Sequence, residues 1–364
     1  MSLFLQALAC ENFGGRPPVW LMRQAGRYMP SYQKLRTQHS LWQLFHTPEL
    51  AAEVTLLPME LLDVDAAILF SDILVVAEML GKKIVFPEKG GPYVEPPLQT
   101  AQDVAALTLR PAREVLGYVE KTIELLHPVL TKPLIGFCGG PLTLASYLIE
   151  RGGKNDLAQT KAWIATDPVS FHMLLSKLTA ASIDYLRMQI EAGVDALQIF
   201  DSWAGLLPPG QFQEFVCRYL QEIVDSLRPY NIPIILFCRG SCTYRKQLET
   251  IAPSAISFDG ERSMRSLRDE TAPNICVQGN IAPELLCEAP AVIRRHVTEL
   301  LESMQGERGF IANLGHGVLP QTPFDNVRLF VDLVKNYHLA SGGREQRMAS
   351  GLPPEAKPNL VPLS

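Results

Sequence analysis

The sequence is first defined by what it lacks. No apolar run reaches the ~18 residues that would span a membrane. No glycine-rich phosphate loop follows an early strand-like run, which argues against an open, doubly wound dinucleotide-binding sheet. There is no G-x-S-x-G nucleophile elbow, and no lysine stands at a strand end like a Schiff-base former. Cysteine is sparse and odd in number, seven residues scattered along 364, which reads as reduced cytosolic thiols rather than a disulfide framework. Cys238 and Cys242 form a C-x3-C pair, but with no second close pair of Cys or His a structural metal site is not the expectation. Basic charge is also in short supply. A net charge of −5 excludes the broad basic surface of a nucleic-acid binder. The opening MSLFLQALAC has the outline of a lipoprotein signal at Ala9-Cys10, but it is short and has no basic start, so an amphipathic helix is expected there.

One stretch lacks acids altogether. From Pro18 to His46 there is no Asp or Glu, yet Arg23, Arg27, Lys34 and Arg36 all lie within it. Val19, Trp20, Leu21 and Met22 read as a strand running into a cationic loop, and Gly26 and Pro30 break the piece before it can form one regular element. A local cationic loop on an acidic protein fits a small polyanion better than a polymer.

Seven further short apolar runs follow: Ala66–Phe70, Leu134–Cys138, Ala196–Phe200, Pro233–Phe237, Ala255–Phe258, Ile275–Gln278 and Phe310–Asn313. None alternates with polar residues, as expected of parallel strands buried on both faces. Helical patterns lie between them, several opening on a cap followed by proline, as at Thr47-Pro48, Asp167-Pro168 and Thr322-Pro323. Residues 81–97 read as a hairpin turning at Gly90-Gly91. Repeated strand–helix alternation predicts an α/β fold, a single (β/α)8 TIM barrel with a small hairpin insertion, over residues 1–339. Residues 340–364, rich in Gly, Pro, Ser and charge, are expected to be a mobile extension.

In such a barrel the site lies at the carboxyl ends of the strands. The residues there are Arg23, Gln24 and Arg27; Ser71 and Asp72; Gly139 to Tyr147; Asp201 and Ser202; Arg239; Asp259; Gly279 and Asn280; and Gly315, His316 and Gly317. Structural alternatives stay open for several: Asp72 as a helix cap, His316 as a packed histidine, Tyr147 as an inward helix residue, Arg36 as a surface ion-pair partner. Arginines, one carboxylate, a tyrosine and a histidine suit unassisted proton transfer or decarboxylation on a carboxylate-rich substrate.

Met22–Pro30 (M-R-Q-A-G-R-Y-M-P), Phe70–Leu74 (F-S-D-I-L), Gly136–Tyr147 (G-F-C-G-G-P-L-T-L-A-S-Y), Val277–Asn280 (V-Q-G-N) and Asn313–Gly317 (N-L-G-H-G) closely resemble, in order and spacing, the uroporphyrinogen decarboxylase family. The resemblance runs from Phe4 to Tyr337. It implies a cytoplasmic homodimer that removes four acetate carboxyl groups from uroporphyrinogen III, giving coproporphyrinogen III in haem biosynthesis, without metal or other cofactor. It further implies that Arg23, Arg27 and Arg36 meet substrate carboxylates and that Asp72 contacts the pyrrole N–H groups. Tyr147, Ser202 and His316 match polar contacts, Phe137 matches an apolar wall, and Gln24 lies inside the signature. Asp72, Arg23, Tyr147 and His316 are the expected catalytic set.

The chain departs from the family pattern at Gly260, where a tryptophan is usual, at Ala282 for an aspartate, at Leu142 for an aromatic and at Arg239 for a lysine. Two rivals share the barrel. A cobalamin-linked methyltransferase would need H-x-C where Phe237-Cys238-Arg239 stands, and a non-catalytic porphyrinogen-binding protein would not need Asp72.

Overall fold

The structure, a computed structural model, describes residues 1–13, 15–87, 90–150 and 156–337. The proposed extension at 340–364 lies outside the described residues.

Seven strands form one parallel sheet: β1 (Ala67–Ile68), β4 (Leu134–Gly139), β5 (Ala196–Phe200), β6 (Ile234–Phe237), β7 (Ala255–Ser257), β8 (Cys276–Ile281) and β9 (Phe310–Leu314), hydrogen-bonded in that order. β2 (Lys83–Val85) and β3 (Tyr93–Glu95) form a separate antiparallel pair. Every residue of β4, β6, β7, β8 and β9 is buried, as the unbroken apolar runs require of strands covered on both faces. The helices expected between strands are present, among them Pro48–Leu61, Pro168–Ala192, Pro290–Ser303 and Phe324–Lys335. Asp167 caps its helix by accepting from the Ser170 N–H. At the last helix Pro323 itself takes the cap position, so the start falls one residue later than the Thr322-Pro323 pattern implied.

Two apolar cores result. One fills the space between the sheet and its outer helices. The other lies inside the curve of the sheet, where Ile135, Ala196, Ile235, Ala255, Cys276 and Ile311, one from each of β4 to β9, surround Trp20 and meet Phe4 of the opening helix Leu3–Leu8. The Trp20 indole N–H donates to Gln278 Oε1 at 2.9 Å, and Gln278 Nε2 donates on to Gln198 and Ser257. These bonds offset part of the desolvation of the polar groups inside the sheet, although Gln198 Nε2 is buried without a partner among the described residues.

The expected first strand stands apart from the other seven. Val19–Met22 does not join the ladder; only Val19 bridges, in parallel, to Ala312. Side chains take its ladder positions: Val19 N–H donates to Asp65 Oδ2, Leu21 N–H to Gln24 Oε1 and Met22 N–H to Asn313 Oδ1. The segment is nevertheless bonded on both flanks, since the Val318 and Asp65 N–H groups donate to the Met22 and Val19 carbonyls.

Candidate active site

The cationic loop leaves the sheet at Met22. Arg23 sits in the left-handed region at φ 61°, a conformation that costs a non-glycine residue energy and is typical of functional loops. The loop is held by Gln24, whose side chain is 1% exposed, accepts from Leu21 N–H and donates to Ala66 O. Both ends of the Gln24 amide thus face the backbone, not the cleft. In this role Gln24 holds the loop that carries Arg23. The Arg23 side chain lies across Gly317, where an added Cβ would stand 2.6 Å from Arg23 Cδ. Arg27 is exposed, and among the described residues neither Arg23 nor Arg27 has a carboxylate within ion-pair distance. Arg36 is less clearly part of the group. It lies on the helix Pro30–Gln38, half-buried, and donates to the His39 carbonyl at the helix end.

Asp72 follows β1 and caps the 3-10 helix Ile73–Leu80, with Oδ1 accepting from Leu74 N–H at 2.8 Å. The capping role is therefore real, and it occupies one oxygen. Among the described residues Oδ2 has no hydrogen bond. Burial pushes the carboxyl up to about 6; the Leu74 N–H and the Arg23 charge pull it down, and Glu78 pushes it up.

Tyr147 is carried by the helix Pro141–Glu150. Burial raises its phenol, as does the Asp72 charge, while Trp203, Arg23 and Arg239 act the other way, so the group is a neutral hydrogen-bond donor at neutral pH. That helix is fixed from β5. Asp201 is buried, and its Oδ1 accepts from the Thr143 N–H at 2.8 Å and hydroxyl at 2.6 Å. Thr143 Oγ1 in turn accepts from the Trp203 N–H. Asp201 thus builds the site without facing it, while Ser202 beside it is half-buried.

His316 follows β9. Its ring accepts at Nε2 from Arg239 Nη2 at 3.1 Å, which places its proton on Nδ1. Burial and the charges of Arg239 and Arg23 push it down to about 4, so it is neutral at physiological pH and no ready proton donor. Phe137, Phe200, Phe237 and His316 stack edge to face along the strand ends, with centroids 5.6, 5.9 and 6.0 Å apart in sequence. Phe137 therefore stands at one end of an aromatic row.

Arg239, noted at a strand end but given no role, contributes another guanidinium, 5.0 Å from the Trp203 ring centroid. Trp203 was not noted, and their contact joins loops that are separate in sequence.

The departure at Gly260 falls in a tightly packed place. Gly260 packs beneath Gly315, where an added Cβ would lie 2.6 Å from the Gly260 nitrogen. Asn280 donates to the Asp259 and Arg262 carbonyls, closing that rim. Cys238 and Cys242 are buried thiols, Cys242 donating to the Asp259 carbonyl. Among the described residues no group of three His, Cys, Asp or Glu side chains is arranged to hold a metal ion, and no helix is long and apolar enough to cross a membrane.

These features define an α/β enzyme of TIM-barrel-like fold, with arginines that lack ion-pair partners among the described residues standing at the strand ends, and one of them, Arg23, within electrostatic reach of a half-engaged carboxylate. The uroporphyrinogen decarboxylase family model matches residues 1–337. The chain is 48% identical over 331 residues to the uroporphyrinogen decarboxylase of Protochlamydia amoebophila, covering 91% of this chain and 90% of that one. It is 41% identical over 323 residues to that of Thermus thermophilus, covering 88% and 94%. Among solved structures, a methyltransferase from Methanosarcina mazei superposes with a TM-score of 0.78 at 21% identity, covering 93% of this chain and 99% of that one, a likeness of fold alone. The chain belongs to the uroporphyrinogen decarboxylase family, carboxy-lyases of haem biosynthesis.

Proposed function

We propose that this cleft decarboxylates uroporphyrinogen to coproporphyrinogen, with Asp72 as the centre of the chemistry and the arginines as the substrate's anchors. The observation that carries the reading is the Asp72 carboxylate, with one oxygen held by Leu74 N–H and the other without a partner, under the influence of Arg23. Protonating a pyrrole ring carbon makes the ring cationic. The acetate C–C bond then breaks, CO2 leaves, and its electron pair flows into the ring. A proton taken up at the exocyclic carbon makes the methyl group, and the ring carbon returns its proton, so each step consumes one proton. The free oxygen of Asp72 stabilises the cation through the pyrrole N–H groups. Arg23, Arg27 and Arg36 receive side-chain carboxylates, because guanidinium forks read them bidentately. Tyr147, Ser202 and neutral His316 act as further polar contacts and Phe137 as the apolar wall. Arg23 is also a candidate for protonating the ring.

The same reading takes Val19–Met22 as the first strand of an eight-stranded barrel, with the β2–β3 pair as its hairpin insertion. It takes residues 1–339 as one domain, 340–364 as an extension, and the protein as a cytoplasmic homodimer working without cofactor. Purified protein held anaerobically with uroporphyrinogen is expected to release coproporphyrinogen. Asp72→Asn is expected to lower kcat by about a hundredfold or more, the scale of losing one electrostatic stabiliser, while binding changes far less. Equal losses in turnover and binding would remove Asp72 from the chemistry, and binding without loss of mass would make the protein a carrier.

A further inference from the structure

Arg239 is held more tightly than a surface arginine. Its guanidinium stacks on Trp203 at 5.0 Å, and Nη2 donates to His316 at 3.1 Å. Its carbonyl lies against Gly205, where an added Cβ would come within 1.8 Å of the oxygen, and Gly240 follows in the left-handed region at φ 76°. The loops after β5, β6 and β9 therefore converge on one charged head. Stacking fixes the plane of the guanidinium and the hydrogen bond fixes its rotation.

This charge is uncompensated. Arg16, Arg245, Arg262 and Arg265 are each ion-paired, but among the described residues Arg239 has no carboxylate within 4.0 Å. It also sits near enough to Arg23 for the two charges to disfavour each other. Two cations kept together without an acid are poised for an anion from solution. One N–H of Arg239 is committed to His316, and the opposite edge of the fork is open to a carboxylate.

We propose that Arg239 is a substrate-anchoring residue: with Arg23 it takes one peripheral carboxylate of the tetrapyrrole, and its N–H holds His316 in the neutral form protonated on Nδ1. The proposal rests on the decarboxylase reading above and adds to it a carboxylate subsite built from three loops.

The test compares wild type with Arg239→Gln and Arg239→Lys in the full chain. It measures anaerobic uroporphyrinogen turnover, equilibrium binding of uroporphyrinogen by tryptophan fluorescence, and the His316 titration by NMR. Arg239→Gln is expected to raise KM and Kd about tenfold or more, as for one lost charge-assisted hydrogen bond, with a smaller change in kcat. Arg239→Lys recovers part of the loss, because it restores the charge but not the fork. The His316 midpoint, about 4 in wild type, is expected to rise in Arg239→Gln and to stay nearer the wild-type value in Arg239→Lys, which keeps the charge; relief of burial would raise it in both. An unchanged Kd overturns the anchoring role, and an unmoved midpoint overturns the hold on His316. If wild type binds uroporphyrinogen without decarboxylating it, the catalytic reading fails, while the Kd comparison still decides the role of Arg239.

Discussion

Acidification should switch this enzyme off through Asp72, at a pH that its neighbours set. A carboxylate stabilises a pyrrole cation only when ionised. With the carboxyl pushed up to about 6, the group is nearly all ionised at pH 8, about half at pH 6 and about a tenth at pH 5. The value of kcat/KM, which reports the free enzyme, is therefore expected to fall about tenfold between pH 8 and pH 5, with its midpoint near 6. Free carboxylates titrate near ~4, so the limb is distinguishable from their protonation. Two variants fix the assignment by sign. Glu78 raises the Asp72 carboxyl and, within hydrogen-bond reach of His46 at 3.1 Å, stands apart from the arginine loop, so Glu78→Gln moves the limb to lower pH. Arg23 lowers it, so Arg23→Gln moves the limb to higher pH whatever else it does to KM. The assay is anaerobic initial rates from pH 5 to 8.5, with folding followed in parallel by circular dichroism. Limbs that move in the same direction, or a wild-type limb that stays below pH 5, would refute the reasoning.

Two further outcomes follow from close packing. Gly317→Ala places a methyl 2.6 Å from Arg23 Cδ, and the flexible side chain must yield; KM for uroporphyrinogen is expected to rise about tenfold with little change in Tm, and an unchanged KM would show that Arg23 need not lie there. Asp201→Asn tests burial: the folded carboxyl is pushed up to about 6 against 3.8 unfolded, so between those values the native state binds more protons and stability falls as pH rises. The variant should therefore gain on wild type at pH 7.5, by at most about 3 kcal/mol, and the gap should close by pH 4; a pH-independent gap in urea unfolding would contradict it.

Strands buried on both faces declare themselves, and β4 to β9 fall close to the expected apolar runs. The segment Val19–Met22 looked the same but differs because Asp65, Gln24 and Asn313 side chains take its N–H groups, and side-chain competition for a ladder leaves no periodicity to read. The helix Pro141–Glu150 and the 3-10 helix Ile73–Leu80 bear out two alternatives left open in the sequence, Tyr147 as a helix residue and Asp72 as a cap. Arg23, Asp72 and His316 stand at the strand ends where the sequence put them. The direction of the Gln24 amide was not legible, because it depends on Ala66, far away in sequence. Arg239 was marked by position but given no role, because its stacking partner Trp203 belongs to another loop.

That omission bears on how the cleft works. A buried carboxylate tends to protonate, and Asp72 already stands well above the ordinary range. Arg23 counteracts this, but an arriving substrate brings carboxylates that neutralise the same guanidinium. With Arg23 alone, loading the cleft would withdraw the support that keeps Asp72 ionised when the chemistry needs it. A second guanidinium beside the first changes the balance: a substrate carboxylate shared between Arg23 and Arg239, as proposed above, leaves Arg23 only partly neutralised. On this argument the number of arginines reflects two demands, gathering an anionic substrate and keeping the catalytic carboxylate charged once that substrate is bound.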